Sequence, residues 1–294
     1  AVLGRVNRVF AAKANFVASG FETLEKLPEG AKHVCLGNPL RNQIIEARPK
    51  TYIMPENDIN ILIVGGSLGA RLISETMPRA IAMLPDGLGK RLVVTQQTRP
   101  ESRSEAEEIY ESAGVRAVCE TFFFDIETHL ANAHYIVGRA GASSVSEIAV
   151  MGKPSLLVPL GIAMDDHQTA NAMALKSLGA ADILPESTFT PETVKDTLEA
   201  RLNDNDWLET ASAAAYKAAK PNAATDLAEL LASSATKVGV ERAVAAGRRS
   251  VGDVVVAQAL HRLELPLLSG ATRTDLKASP ELLPELRAAL DAFA

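Results

Sequence analysis

The segment GRAGASSVSE, residues 138–147, places two glycines, three serines and one carboxylate in a single short stretch. Gly138 and Gly141 would allow the backbone to approach a ligand closely. Ser144 and Glu147 stand three residues apart, which is the spacing of a helix capping box, and that role would explain both residues. A carboxylate at the mouth of a sheet could instead accept the two neighbouring hydroxyls of a ribose. The residues alone leave both interpretations open.

A second glycine-rich segment, GGSLGAR at 65–71, also follows a short apolar run. Gly65 and Gly66 permit close backbone approach, and Ser67 with the amides of a following helix could hold a phosphate, which the helix dipole favours. The segment is neither the GxGxxG of dinucleotide-binding enzymes nor the GxxxxGK[ST] of P-loop nucleoside triphosphatases. A turn that needs its glycines only for packing is an equally good interpretation.

The third segment, DDHQTANA at 165–172, combines two carboxylates with two amides. Asp165 or Asp166 would cap a helix, and Gln168 and Asn171 would share one face of its first turn because they are three residues apart. Amide side chains both donate and accept hydrogen bonds, which suits the hydroxyls of a sugar. A solvated first turn without a ligand is the alternative.

Alternating strands and helices must position these three segments. Nearly continuous apolar runs predict strands, and segments with a helical period predict helices. The predicted strands are 60–66, 91–96, 115–122, 134–138, 154–160 and 180–184. The predicted helices are 70–83, 100–113, 125–132, 143–151, 167–178, 191–202, 205–219 and 222–234. This alternation predicts a doubly wound, Rossmann-like α/β domain with a parallel sheet, in which ligands bind outside the carboxyl ends of the strands.

Composition argues against other classes of protein. The net charge of −6 and the isoelectric point near 5.5 argue against a nucleic-acid binder, because such domains usually carry a basic face. Cys35 and Cys119 lie in apolar runs and are expected to be buried thiols, and no Cys/His cluster suggests a metal site. No run of about twenty apolar residues suggests a membrane span. We therefore expect neither a metal nor a cofactor.

Two further segments have the composition of functional motifs, but a structural role explains each of them better. DND at 204–206 has the spacing found in metal-dependent glycosyltransferases. It lies between two late helices, away from the strand ends, so a helix cap is the better interpretation. The basic run GRRS at 247–250 is expected to be solvated.

Several spaced motifs together resemble the carboxyl-terminal half of the MurG family of glycosyltransferases: VGGSLGAR, FFFD…RAGASSVSEI…GKPSLLVPL and DDHQTANA. GNPLR at 37–41 and AVLGRVNR at 1–8 resemble that family too, so the resemblance runs from residue 1 to about 235. It implies a GT-B fold, in which two Rossmann-like domains face a cleft. The implied reaction moves N-acetylglucosamine from UDP-N-acetylglucosamine to undecaprenyl-pyrophosphoryl-N-acetylmuramoyl pentapeptide (lipid I to lipid II). The implied location is peripheral, at the cytoplasmic face of the bacterial inner membrane.

The resemblance also implies roles for matched residues. Ser67 would contact the diphosphate, Arg41 would lie beside the donor nucleotide, and Phe123 would offer its backbone to the uracil edge. Glu147 would accept the ribose hydroxyls. The turn that lines the nucleotide would comprise Ala142, Ser143, Ser144, Val145, Ser146 and Glu147.

The acceptor side of the family pattern is not matched. On the donor side, the resemblance implies that Gln168 would hold the hydroxyls of the sugar, with Asn171 close by. On the acceptor side, the family's proposed general base is a histidine in a GGTGGH-like loop, and residues 1–58 contain no such loop. None of the five histidines lies in a glycine-rich loop: His33, His129, His134, His167 and His261. We therefore predict no catalytic residue in this chain. The base and the lipid I site are expected in a missing amino-terminal domain.

The resemblance predicts a domain organisation. Residues 1–43 would be a remnant of the acceptor-side domain, 44–58 a linker, 59–235 the UDP-sugar-binding domain with its carboxyl-terminal helices, and 236–294 an unmatched tail. The amphipathic opening segment has no cap before it, so we expect a truncated amino terminus.

Two other functions stay open at this point. The chain could be a UDP-sugar-binding subunit that is inactive without a partner chain. It could also be another GT-B enzyme, such as a UDP-N-acetylglucosamine 2-epimerase. A GGTGGH-like loop upstream would distinguish the transferase from the subunit.

Overall fold

The structure is a computed structural model that describes residues 1–66, 70–161 and 166–234. These residues form two compact units. The larger unit comprises Ala1–Val2 with Asn42–Lys220, and the smaller unit comprises Leu3–Arg41 with 221–234.

Strands and helices alternate along the described residues. The strands are β1 (Val17–Ser19), β2 (His33–Cys35), β3 (Ile59–Val64), β4 (Leu92–Gln97), β5 (Arg116–Glu120), β6 (Tyr135–Arg139), β7 (Ser155–Val158) and β8 (Ala181–Ile183). The helices are α1 (Arg5–Ala11), α2 (Asn42–Glu46), α3 (Arg71–Ala82), α4 (Asp86–Gly89), α5 (Arg103–Ser112), α6 (Ile126–Asn132), α7 (Ala142–Met151), α8 (His167–Lys176), α9 (Pro191–Leu202), α10 (Asn205–Ala218) and α11 (Ala223–Ser234).

The larger unit is built on a six-stranded sheet in the order β5-β4-β3-β6-β7-β8. Every pairing in this sheet is parallel, and helices connect successive strands. The predicted doubly wound α/β fold is therefore confirmed. The strand order reverses between β3 and β6, so the connections that follow these two strands leave in opposite directions.

The two central strands approach each other closely at their carboxyl ends. Val64 of β3 stands opposite Gly138 of β6 in the parallel register. A Cβ atom on Gly138 would lie 2.9 Å from Cγ2 of Val64 and 3.1 Å from its carbonyl oxygen. A side chain at position 138 would therefore force Val64 to shift.

Apolar side chains on both faces of the sheet are buried. Ile59, Ile61 and Ile63 of β3 are at most 1% exposed and belong to one core cluster with residues of α3, α5 and α9. Leu62, which points to the opposite face, is equally buried. Burial on both faces explains why these strands are nearly continuous apolar runs in the sequence.

The segment predicted to be a linker, 44–58, belongs to the larger unit. Tyr216 of α10 donates its hydroxyl to the carbonyl oxygen of Pro49 at 3.0 Å. Tyr52 donates its hydroxyl to the carbonyl oxygen of His134 at 2.9 Å. These two bonds attach the segment to α10 and to the amino end of β6.

A buried lysine lies near the amino ends of the central strands. Lys153, two residues before β7, is 3% exposed and donates to the carbonyl oxygen of Ala131 at 2.7 Å. Its ammonium nitrogen lies 5.7 Å from the centre of the Tyr52 ring. Burial lowers the pKa of Lys153 to about 8. Burial, and after it the charge of Lys153, also lower the pKa of His134, whose Nδ1 accepts a hydrogen bond from the N–H of Asn60 at 2.8 Å.

The smaller unit contains α1, α11 and a two-stranded parallel sheet of β1 and β2. Cys35 at the end of β2 is half-buried, so the expectation that it is buried is wrong, because no residue of this small sheet is fully covered. Cys119 of β5 is buried as predicted, and burial, with a smaller effect of the Glu107 charge, raises its pKa to about 11.

The tail predicted at 236–294 lies outside the described residues, together with the basic run at 247–250 and His261. Within the described ranges, none of the helices combines the length and the apolar character that crossing a bilayer requires.

Candidate functional site

The loops that follow β3 and β6 leave the carboxyl edge of the sheet on opposite sides of the point where the strand order reverses. Ligands of open α/β sheets bind at the carboxyl ends of the strands, at such a reversal point. Gly65 and Gly66 begin the first loop, and Ala140 and Gly141 form the second. These loops lead into α3 and α7, whose amino termini carry the positive ends of their dipoles. The fold thus brings two of the three predicted ligand-binding segments to one place.

Gln97, the last residue of β4, holds the first loop. Its side-chain oxygen accepts a hydrogen bond from the N–H of Gly65 at 3.2 Å, and its side-chain nitrogen donates to the carbonyl oxygen of Thr121 at 3.3 Å. Gly66 adopts a φ of +84°, in the left-handed region that favours glycine. The sequence did not indicate Gln97, because the two loops that its side chain joins are neighbours only in the folded sheet. Ser67, the predicted diphosphate contact, lies outside the described residues.

The capping-box interpretation of Ser144 and Glu147 is wrong. Helix α7 begins at Ala142 with Gly141 in the N-cap position, and no described side chain caps it. Gly141 is extended, with ψ of 148°, and the helix begins at the next residue, so Ser144 is its third residue. Glu147 lies more than one turn into the helix and is half-buried.

The other residues of this turn present different groups. Ser143 is exposed and Ser144 is half-buried. Val145 is 1% exposed, so only its backbone could line a ligand. Ser146 donates its hydroxyl to the carbonyl oxygen of Ala142 at 2.9 Å, which is a bond within the helix. The first turn therefore combines serine hydroxyls with backbone amides, the donors that suit phosphate oxygens.

Helix α8 places Gln168 and Asn171 on one face of its first turn. Asn171 is 6% exposed, and its side-chain nitrogen donates to the carbonyl oxygen of Ala140 at 3.2 Å. The side-chain oxygen of Gln168 accepts a hydrogen bond from the N–H of Leu160 at 3.0 Å. The two amides connect α8 to the loops after β6 and β7. The alternative of a solvated first turn is therefore wrong.

The sequence predicted one aspartate cap for α8, at Asp165 or Asp166, and another for α10, in the DND segment. Asp166 occupies the N-cap position of α8 in the left-handed region, with φ of 48°, and its side chain caps no amide of the described residues. Asp165 lies outside those residues. Asp204 of the DND segment caps α10, because its Oδ1 accepts a hydrogen bond from the N–H of Trp207 at 2.9 Å. The cap interpretation of DND is therefore confirmed.

An ion pair spans the carboxyl end of β7. Arg139, the last residue of β6, donates to Glu186 at 2.5 Å, and the two side chains are 12% and 25% exposed. Arg139 also donates to the carbonyl oxygen of Val158 at 3.3 Å, and Glu186 accepts from the N–H of Gly161 at 3.0 Å. Burial raises the pKa of Glu186, but the bond from Gly161 and the bond and charge of Arg139 outweigh burial and leave it below its usual value. Sequence reasoning missed Glu186 because it lies 47 residues from its partner.

Phe123 lies beyond β5, at the same edge of the sheet. Its ring is 9% exposed and packs on the His129 ring, with 4.6 Å between the centroids. Phe122 and Phe124 are exposed, and their ring centroids are 4.9 Å apart. The buried ring anchors the backbone of this segment, which is the part that the resemblance assigns to uracil.

Arg41 belongs to the smaller unit, so its place beside the nucleotide stays a prediction. Three of the described histidines, His33, His129 and His134, make structural contacts; Nε2 of His33, for example, lies 2.7 Å from the hydroxyl of Ser19. In the part of the chain that the structure describes, no three His, Cys, Asp or Glu side chains are grouped so that they could hold a metal ion.

The parallel sheet and its reversed strand order define a Rossmann-like α/β domain, as found in glycosyltransferases of the GT-B type. Residues 60–230 match the model of the glycosyltransferase family 28 C-terminal domain, and the chain belongs to that family.

Individual relatives agree with this assignment. The chain is 50% identical over 232 residues to the UDP-N-acetylglucosamine--N-acetylmuramyl-(pentapeptide) pyrophosphoryl-undecaprenol N-acetylglucosamine transferase of Maricaulis maris (strain MCS10), a match covering 78% of this chain and 63% of that protein. The protein of the same name from Caulobacter vibrioides (strain NA1000 / CB15N) is 43% identical over 238 residues, with 80% and 66% covered. The crystal structure of Acinetobacter baumannii MurG gives a TM-score of 0.65 at 31% identity, with 78% and 64% covered. The resemblance to the carboxyl-terminal half of MurG is confirmed, and the chain spans less than two thirds of the length of these relatives.

Proposed function

We propose that this chain is part of an enzyme that transfers N-acetylglucosamine from UDP-N-acetylglucosamine to undecaprenyl-pyrophosphoryl-N-acetylmuramoyl pentapeptide. The names of the Maricaulis maris and Caulobacter vibrioides relatives support this reaction over that of an epimerase. The larger unit would bind the donor. The observation that carries the proposal is the reversal of strand order between β3 and β6, because Gly65 and Gly66 and the amino terminus of α7 follow these two paired strands.

Each part of the donor has a chemical counterpart along this edge. The diphosphate would lie against the amino termini of α3 and α7, with Ser67 as a further donor. The carboxylate of Glu147 would accept the ribose hydroxyls, and the backbone of Phe123 would meet the uracil edge. Gln168 would hold the hydroxyls of the sugar, while Arg41 would lie beside the nucleotide.

The reaction would proceed with inversion at the anomeric carbon. A base removes the proton from the acceptor hydroxyl, the oxygen attacks the anomeric carbon, and the bond from that carbon to UDP breaks. The negative charge that develops on UDP would be stabilised by the amides and dipoles of α3 and α7, because these groups are oriented before the charge appears. We place the base and the lipid I site outside the larger unit.

We also propose that the enzyme contacts the membrane peripherally, at the cytoplasmic face of the bacterial inner membrane. The undecaprenyl chain in the names of the relatives supports this location, because such a lipid resides in the bilayer.

Calorimetric titration tests the donor site. The chain should bind UDP and UDP-N-acetylglucosamine, and it should bind GDP more weakly because a purine presents a different edge to the Phe123 backbone. Equal affinity for GDP and UDP would contradict the role of Phe123. Absence of binding to both uridine ligands would contradict the proposed function.

A further inference from the structure

The carboxyl end of β7 is held from both sides. Strand β7 lies between β6 and β8, so Arg139 at the end of β6 and Glu186 after β8 do not belong to neighbouring strands. Their ion pair crosses the chain where it leaves β7. Arg139 binds the carbonyl oxygen of Val158 before the crossing, and Glu186 binds the N–H of Gly161 after it.

This arrangement fixes the orientation of the Gln168 side chain. Leu160 lies between the two tethered residues and donates its N–H to the side-chain oxygen of Gln168. With that oxygen turned towards the backbone, the side-chain nitrogen is left as the group that can donate to a ligand. A donor at this place suits the oxygen of a sugar hydroxyl.

We propose that Glu186 is a positioning residue for the sugar half of the donor site. Glu186 holds the backbone at Gly161 and Leu160, this backbone orients Gln168, and Gln168 binds the sugar. The ligand class is a nucleotide-linked pyranose. The inference rests on the proposed function and extends it, because Glu186 itself does not touch the donor.

A glutamate is required by the two bonds that its carboxylate accepts. One oxygen accepts from Arg139 and the other accepts from Gly161. Glutamine has the same shape but carries an NH2 group in place of one oxygen, so one of the two donors would face another donor. Gly161 also leaves room for the carboxylate, since a Cβ atom there would lie 3.3 Å from Oε2 of Glu186.

The variant Glu186→Gln tests this role. Its matched control is Asp182→Asn, which breaks the ion pair with Arg201 that joins β8 to α9, at 2.6 Å and with side chains 25% and 31% exposed. We expect both variants to keep the UDP dissociation constant within about twofold. We expect Glu186→Gln alone to weaken UDP-N-acetylglucosamine binding by about five- to tenfold, the effect of one lost hydrogen bond.

A second measurement needs no ligand. Hydrogen exchange at the amides of Leu160 and Gly161 should be faster in Glu186→Gln than in the wild type, and unchanged in Asp182→Asn. If Glu186→Gln does not fold, Glu186→Asp takes its place, because its shorter side chain keeps the charge but cannot reach both donors.

Three results would overturn the proposal. They are unchanged exchange at Leu160 and Gly161, equal losses of UDP and UDP-N-acetylglucosamine binding, and the same loss of sugar binding in Asp182→Asn. If the wild-type chain bound neither uridine ligand, the proposed function and the sugar role would both be overturned. Hydrogen exchange would then still show whether Glu186 holds the loop.

Discussion

Glu147 is half-buried on α7 and is not part of a capping box. If this carboxylate accepts the ribose hydroxyls, Glu147→Ala removes hydrogen bonds to a charged acceptor, worth roughly 1.5–3 kcal/mol. We expect calorimetry to show that UDP affinity falls by about ten- to hundredfold. This loss of affinity should exceed any loss of stability, because no helix cap is removed.

Glu108→Ala is the matched control for this measurement. Glu108 is an exposed glutamate on α5 of the same unit. Its replacement should alter neither UDP affinity nor melting temperature. A Glu147→Ala variant that melts earlier yet binds UDP normally would show that Glu147 has a structural role.

At the scale of elements, the strands of the sheet were predictable because both of their faces are buried. The helices α7 and α8 were predictable from their period and from the turns before them. The helix Asp86–Gly89 was missed, since a single turn with two glycines has neither a period nor a high helix propensity.

The candidate site was predictable only in part. Glycines, serines and amides after strands indicated where ligands would bind. The roles of Gln97 and Glu186 depend on which strands are neighbours, and no local pattern contains that information. The start of α7 at Ala142 was also missed, because Gly141 takes the cap position that the serine spacing assigned to Ser144.

The amino edge of the sheet buries the positive charge of Lys153, whose pKa is lowered from 10.5 to about 8. Between these two pH values the unfolded chain binds a proton at this site that the folded chain has lost, so stability rises with pH. Relative to Lys153→Met, the wild-type free energy of unfolding should gain up to about 3 kcal/mol over this range. Urea unfolding of both proteins from pH 7 to pH 10 measures the gain.

Lys90→Met is the control for the buried lysine, because Lys90 is exposed. Its difference from the wild type should not vary with pH in this way. A constant difference between the wild type and Lys153→Met across the range would contradict the lowered pKa of Lys153.

At the scale of the whole molecule, binding of the donor and transfer of the sugar should be separable. The residues that we assign to the donor lie on the larger unit, apart from Arg41. His33, His129 and His134 make structural contacts. General-base help is worth about 10²–10⁴-fold, and positioning of the acceptor adds several powers of ten. We expect the 294-residue chain to bind UDP-N-acetylglucosamine yet to form no lipid II from a soluble lipid I analogue.

A chimera provides the positive control for transfer. Joining this chain to the part of the Maricaulis maris relative that the match does not cover should give turnover. Turnover by the 294-residue chain itself, abolished by Glu147→Ala, would show that the acceptor site lies within it.

The reversal of strand order at the centre of the sheet has a consequence for the folding of this unit. Asn60 at β3 and His134 before β6 are hydrogen-bonded across 74 residues of sequence, and β4 and β5 lie between them in the chain but outside them in the sheet. We expect contacts of such long range to form late, because the entropy of closing a long loop must be lost before they stabilise the chain. The loops after β3 and β6 therefore come together only when the two halves of the sheet join. During refolding, nucleotide affinity should therefore appear only when the two halves of the sheet join, and the time of its appearance would measure when they do.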